Sequence, residues 1–180
     1  MKFSPKEMAI TAVMTALICI LGPWAIQIPI SPVPITLCTM GIYFALYVLG
    51  MKLGILSVVL YVLLGSAGVP VFTNFSGGIG KLLGPTGGYI FGYFFLAVIC
   101  GFFLLKFPEK LLMHVAGFVL GTLVLYLFGT LWLQYQLKLT FPAALMAGVI
   151  PYIPGDVAKL VIAIAVGLPL KKRLKKARLL

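Results

Sequence analysis

Acidic residues are nearly missing: Glu7, Glu109 and Asp156 are the three carboxylates in 180 residues, against 14 Lys and Arg. The single histidine, His114, has no carboxylate or second histidine at ligand spacing. The three cysteines, Cys19, Cys38 and Cys100, fall singly inside apolar runs with no C-x-x-C pair, the pattern of buried free thiols. So small a stock of acids, bases and ligating groups argues against an enzyme, a metal centre or a resident cofactor. A phosphate loop is lacking too. Ahead of Gly80-Lys81, Phe75 stands where G-x-x-x-x-G-K-[ST] needs its first glycine, and Leu82 replaces the Ser or Thr, so the chain cannot power itself with ATP. The formal net charge of +11 does not mark a nucleic-acid binder, because the basic residues sit at the ends of apolar runs and in the tail. Charges placed in that way meet anionic lipid beside a membrane.

What the chain has in abundance is apolar surface. Hydrophobic residues make up 62% and charged residues 9%, where an average soluble domain has roughly 25% charged. No soluble interior hides that much, which points to a membrane protein. A bilayer core of about 30 Å takes about 20 helical residues, fewer where a helix is short and packed among neighbours. Met8 to Gly22 is the first run of this kind. Lys2 and Lys6 ahead of it look like the start of a signal peptide, but no small-x-small cleavage pattern closes the run before Pro23, so a retained first helix is expected. The proline-dense stretch from Ile28 to Pro34 cannot continue a helix, since each ring removes a donor and clashes one turn back.

From Ile35 to Leu64 the chain is apolar except around Gly50-Met51-Lys52-Leu53-Gly54. One straight span would bring Lys52 to mid-membrane, so two short helices joined by a glycine turn are favoured. Gly65 to Gly88 holds eight glycines with Pro70 and Pro85, which reads as too irregular for a helix and too apolar for a soluble linker. Such a segment must fold back on protein or a cavity. Helix 4 is expected from about Tyr89 to Leu105, and helix 5 from about Leu111 to Leu131. Trp132 to Pro154 forms a long connection with a short extra helix over Phe141 to Val149. Helix 6 is expected from about Gly155 to just before Pro169. The expectation is thus an all-α membrane protein with six transmembrane helices over 1–170 and a basic tail over 171–180. Lys2, Lys6, Lys52, Lys106, Lys110 and six basic tail residues place eleven charges on one side, against Lys81 and Lys138 on the other. The positive-inside rule then puts both termini in the cytoplasm and the long loops after helices 1, 3 and 5 outside.

Asp156 and Lys159 are the informative charges. Spacing of three puts them on one face of the first turn of helix 6, after Pro151-Tyr152-Ile153-Pro154-Gly155. Asp156 suits a helix N-terminus, but Lys159 gains nothing from that dipole, and ionisable groups at membrane depth usually serve function. A salt bridge that caps the helix is the plainer alternative. In helix 1, Ala12 and Ala16 form a small-x-x-x-small pattern that lets another helix approach closely, within this protein or in a partner.

Four stretches together resemble the BioY family, the biotin-binding (S) components of energy-coupling factor transporters. They are Pro32-Val33-Pro34-Ile35-Thr36-Leu37, Leu64-Gly65-Ser66-Ala67-Gly68-Val69-Pro70-Val71-Phe72, Leu83-Gly84-Pro85-Thr86-Gly87-Gly88-Tyr89 and Pro154-Gly155-Asp156-Val157-Ala158-Lys159, in order along nearly the whole chain. The resemblance implies a six-helix substrate-binding domain in the cell membrane of a prokaryote, with biotin held near the external face under Pro23 to Pro34 and Gly65 to Gly88. It implies Asp156, Lys159 and Asn74 as polar ligands. Biotin's ureido group offers two N–H donors and an acceptor oxygen, and its valerate ends in a carboxylate; Asp156 suits the N–H groups, and Lys159 suits an acceptor oxygen or the carboxylate. Trp24, Phe75, Tyr89 and Tyr152 are candidates to cover the bicyclic ring, or else members of an interfacial aromatic belt. The pattern departs at Cys38, where relatives often carry Gln, so a polar contact there is missing or supplied elsewhere. Partners implied are a transmembrane coupling subunit, docked through Ala12 and Ala16, and two ATPase subunits. An S component for another vitamin, or a small channel or facilitator, is the alternative; a channel would want a polar ring along helices 2 to 5, which offer almost none.

Overall fold

The computed structural model describes residues 4–29 and 31–177, so Lys2, Ile30 and Arg178 lie outside the described residues. The chain is almost wholly helical. Helix α1 spans Pro5–Leu21 and begins with a capping box: Glu7 N–H donates to Ser4 Oγ at 3.2 Å, and Ser4 N–H donates to Glu7 Oε2 at 2.8 Å. Pro5 at the first helical position needs no N–H partner there. Thr11, Thr15 and Ile18 are its buried face, against α2. The described residues of the proline-rich loop that follows are not helical, as expected. A short antiparallel pair joins β1 (Ala25–Ile26) to β2 (Ile35–Thr36), and Thr36 Oγ1 donates to the Gly22 carbonyl at 3.0 Å.

Helix α2, Cys38–Ser66, is broken at Gly50, whose φ of 72° and ψ of −169° suit glycine and not an L side chain. A Cβ at Gly54 would lie 2.7 Å from Leu46 Cδ2. Residues equally far on either side of the break therefore touch, and the chain doubles back there. This is the expected glycine turn, and it leaves Lys52 exposed.

The next segment differs from the reading that it holds no helix. It contains a 3-10 turn, Thr73–Phe75, and a short helix α3, Ile79–Leu83. Its glycines lie mainly at the joints between these pieces, where Gly68 and Gly78 take positive φ. Helix α4, Gly87–Lys106, starts two residues before Tyr89 because the glycine pair belongs to its first turn. A Cβ at Gly87 would sit 1.7 Å from the Leu82 carbonyl oxygen, and one at Gly88 would sit 2.2 Å from Trp132 Cβ. Only glycine allows that closeness.

Helix α5, Leu111–Leu137, runs a full turn and more beyond Leu131 and ends on Lys138 in the left-handed conformation. The extra turn places Trp132 and Gln136, whose side chains donate to the carbonyls of Gly84 at 2.9 Å and Leu83 at 2.5 Å. A short helix α6, Phe141–Gly148, and a 3-10 turn, Ile150–Tyr152, lead into α7, Ile153–Lys176. That last helix does not stop at Pro169. Proline removes one backbone donor without ending the helix here, which passes through Pro169 and takes the tail cations as far as Lys176.

The stretches Cys38–Ser66, Gly87–Lys106, Leu111–Leu137 and Phe141–Leu174 are long and apolar enough to cross a membrane. Leu105, Leu112, Leu123 and Val161 are among many large apolar side chains left exposed, as expected where the surroundings are lipid. Inside, Tyr43 stacks on Phe118 at 4.8 Å between centroids, and Tyr47 meets the same ring edge-on at 5.1 Å. Packing is most extensive between α4 and α5, then between α2 and α4, α1 and α2, and α2 and α7. Helix α2 is thus the hub. The starts of α2, α4 and α7 gather with the end of α2 at one end of the bundle, around the chamber described next.

Candidate functional site

The chamber has about 620 Å³ of empty space, its mouth included. Its walls come from β2 and the loop before it, from both ends of α2, and from the starts of α4 and α7 with the middle of α5. Asp156 and Lys159 share a face of the first turns of α7, as their spacing requires. Lys159 Nζ donates to Asp156 Oδ1 at 2.6 Å, with side chains 9% and 14% exposed. The other carboxylate oxygen, Oδ2, accepts from the Tyr126 hydroxyl of α5. A cation and an anion are therefore held together in apolar surroundings. Withdrawing both from water is costly, and the pair is sustainable because each charge is hydrogen-bonded.

Tyr89 and Tyr152 also line the chamber. Tyr89 lies across Gly129, where a Cβ would come within 2.2 Å of its ring, and its hydroxyl donates to the Gly148 carbonyl at 2.8 Å. Tyr152 closes the side next to the first loop. Its hydroxyl donates to the Val33 carbonyl and lies 2.5 Å from Ser31 Oγ, while Ser31 donates to the Ala147 carbonyl at 2.5 Å.

Trp24, Asn74 and Phe75 do not line the chamber. Trp24 and Phe75 are 61% and 62% exposed and meet edge-on at 6.2 Å, which joins the tips of the two loops. Asn74 is exposed and left-handed, with φ 59°, and its backbone N–H donates to the Pro23 carbonyl at 3.0 Å. Phe72 and Thr73, immediately before it, do face the chamber. Cys38 is wholly buried and does not line the chamber, whereas Tyr61 and Tyr93 do.

The sequence reading missed Thr36, Thr39, Tyr61, Tyr93, Tyr126 and Thr86 of the lining. The signal open to it was hydroxyl groups within otherwise apolar helices. Among the described residues, Thr39, Thr73 and Thr86 of the lining have buried hydroxyls with no hydrogen-bond partner. No group of three or more His, Cys, Asp or Glu is placed to hold a metal among the described residues.

The fold defines a helical protein of membrane-spanning composition with a partly polar chamber at one end of its bundle. The chain belongs to the BioY family, whose model matches residues 1–176. It is 40% identical over 167 residues to the biotin transporter BioY of Thermotoga maritima, covering 93% of this chain and 96% of that one. It is 38% identical over 161 residues to the probable biotin transporter BioY of Pyrococcus horikoshii, covering 89% and 93%. A crystal structure of the S-component for biotin from an ECF-type ABC transporter superposes with a TM-score of 0.87 at 32% identity, covering 95% of each chain.

Proposed function

We propose that the chain captures biotin at the external face of the plasma membrane as the S component of an energy-coupling factor transporter. The observation that carries this reading is the Asp156–Lys159 pair, hydrogen-bonded to Tyr126 and set in an apolar chamber. A ureido ring needs an acceptor for its N–H groups and a donor for its oxygen, side by side; the carboxylate and the ammonium supply them. Tyr61, Tyr93, Ile90 and Leu125 offer flat and apolar surface for the bicycle and the valerate chain. Trp24 and Phe75 form a rim that closes over the bound ligand, with Asn74 beside them.

In this reading the two arms of α2 are separate crossings, so the chain spans the membrane six times. The termini and Lys52 face the cytoplasm, and the chamber opens outward. The coupling subunit, driven by two ATPase subunits, docks on the outer face of α1. Ala12 and Ala16 are exposed there, opposite the buried Thr11, Thr15 and Ile18.

Titration of the purified full chain with biotin should reach a stoichiometry near one per chain. Cysteines placed singly at Ser76 and Lys52, in a background without the native ones, should be labelled from outside at the first position and not at the second. Absence of biotin binding by folded protein would remove the ligand, and reversed labelling would remove the topology.

A further inference from the structure

A second hollow lies on the outside of the bundle, along the seam where α4 and α5 pack. It holds about 1000 Å³ of empty space, its open side included, against about 620 Å³ for the chamber. Phe91 and Phe95 of α4 line it with Phe128, Trp132 and Tyr135 of α5, and Gly88 stands where Trp132 crosses. The rings are in register. Phe95 stacks on Phe128 at 4.3 Å between centroids, and one turn along, Phe91 meets Trp132 at 6.0 Å. A step of four towards the start of α4 is matched by a step of four towards the end of α5, as antiparallel helices require. Tyr135 is 80% exposed, and Phe91, Phe95 and Phe128 are exposed too, so the rings wall a trough that opens outward from the bundle. An interfacial belt accounts for Trp132 and Tyr135 at a membrane boundary, but not for phenylalanines ordered two turns deeper.

One end of the trough carries charge. Lys138, exposed, ends α5 three residues beyond Tyr135. Lys81 belongs to α3, whose last turn is tied to the same stretch of α5: Gln136 donates to the Leu83 carbonyl and Trp132 to the Gly84 carbonyl. Neither lysine forms an ion pair among the described residues. The three carboxylates are all engaged or placed elsewhere. Glu7 is held in the capping box of α1, Asp156 is bonded to Lys159 and Tyr126, and Glu109 stands in the turn at the opposite ends of α4 and α5. From Phe128 to Lys138 the axis advances about 15 Å, at about 1.5 Å per residue, which is half of a bilayer core of about 30 Å. The trough therefore has the length of one leaflet, with cations at its boundary end. In the proposed orientation these are the two lysines on the external side, where the positive-inside rule disfavours them.

We infer that the α4–α5 trough binds an anionic phospholipid, with one acyl chain lying along the rings and the phosphate held by Lys138 and Lys81. The acyl chain matches an apolar trough of one leaflet's length, and the phosphate supplies the negative charge and acceptor oxygens that the two ammonium groups lack. A second copy of the chain fits this face less well. Packed here with the same orientation in the membrane, it would set lysine against lysine. The inference goes beyond the biotin reading and needs only that the chain spans a membrane.

The chain has two tryptophans, and Trp24→Phe leaves Trp132, inside the trough, as the sole reporter. In phosphatidylcholine vesicles its fluorescence is titrated with brominated phosphatidylglycerol or brominated phosphatidylcholine, each of which quenches at close range. The anionic lipid should be preferred about fivefold or more, the scale set by a lysine near a bilayer surface. Lys138→Gln with Lys81→Gln should bring the two lipids to within about twofold of each other, and Lys138→Arg should keep the preference. Lys172→Gln with Lys176→Gln, in the tail, should keep it as well, which separates the trough from general attraction to a basic protein. Quenching by the neutral lipid should be alike in all variants, each checked for folding by thermal unfolding. Equal quenching by the two lipids before the lysines are changed, or a preference that survives loss of both, would overturn the inference. So would a Trp132 that neither lipid quenches, the result expected if protein covers this face. Biotin titration in the same vesicles reads the chamber separately, so either reading can fail alone.

Discussion

The chamber and the outer face of α1 are built on opposite terms. No residue of Pro5–Leu21 lines the chamber, and every chamber wall comes from later elements. The chamber gathers hydroxyl groups and the one buried ion pair among the described residues, whereas the α1 face exposes Ala9, Ala12 and Ala16 with Met8, Val13 and Ile20 around them. One region is closed by hydrogen bonds, and the other is a smooth apolar surface suited to close approach by another helix. In the proposed function, ligand grip and subunit docking thus fall to different helices. A substitution in one region should leave the function of the other almost unchanged.

The largest expected effect lies in the chamber. Asp156→Asn leaves Lys159 with a weaker partner and removes a charge-assisted acceptor, and should lower biotin affinity by about 2–4 kcal/mol. Association with the coupling subunit in the absence of biotin should survive. Isothermal titration and co-purification measure the two, and loss of both at equal severity in folded protein would break the division. The next effect lies on α1. Ala16→Trp introduces a bulky ring on the exposed face and should weaken assembly by about 1–3 kcal/mol, the range for overpacking a close contact, with biotin affinity of the isolated chain unaltered. If binding falls and assembly holds, Ala16 packs the protein's own interior. The smallest effect belongs to the rim: Phe75→Ala removes the edge-on contact with Trp24 and should reduce affinity by about 0.5–1.5 kcal/mol. A change confined to the dissociation rate would mark these rings as a cover, whereas a change confined to the association rate would contradict that role.

Much of the fold was legible because a membrane permits so few solutions. Lys52 demanded the break at Gly50, and the i to i+3 spacing of Asp156 and Lys159 demanded a shared face. The glycine pair before Tyr89 was legible as a motif, though its reason, the contact with Leu82 and Trp132, was not. What remained hidden depends on distant approach. Tyr126 reaches Asp156 from thirty positions away along the chain, and nothing in the apolar run around it announces that contact. Threonine is equally mute, since one threonine in a helix bonds its own backbone and another, at a helix start, does not. The path of α7 through Pro169 was misjudged for the same kind of reason: the penalty for proline depends on neighbours that the rule of thumb does not weigh.

Tyr152 has a consequence for traffic through the site. Its hydroxyl bonds the first loop at Val33 and meets Ser31, which is bonded in turn to Ala147, so that loop is riveted to the α6–α7 junction only four residues ahead of Asp156. Swinging the first loop open would drag the start of α7, and Asp156 with it, in the same movement. The segment from Phe72 to Phe75 carries no such rivet to α7. Its hydrogen bonds run to Ser76 and to the Pro23 carbonyl. In the proposed function the doorway is thus hinged on one side, and the ligand enters past the left-handed turn at Asn74 and Phe75 while Asp156 and Lys159 stay in place.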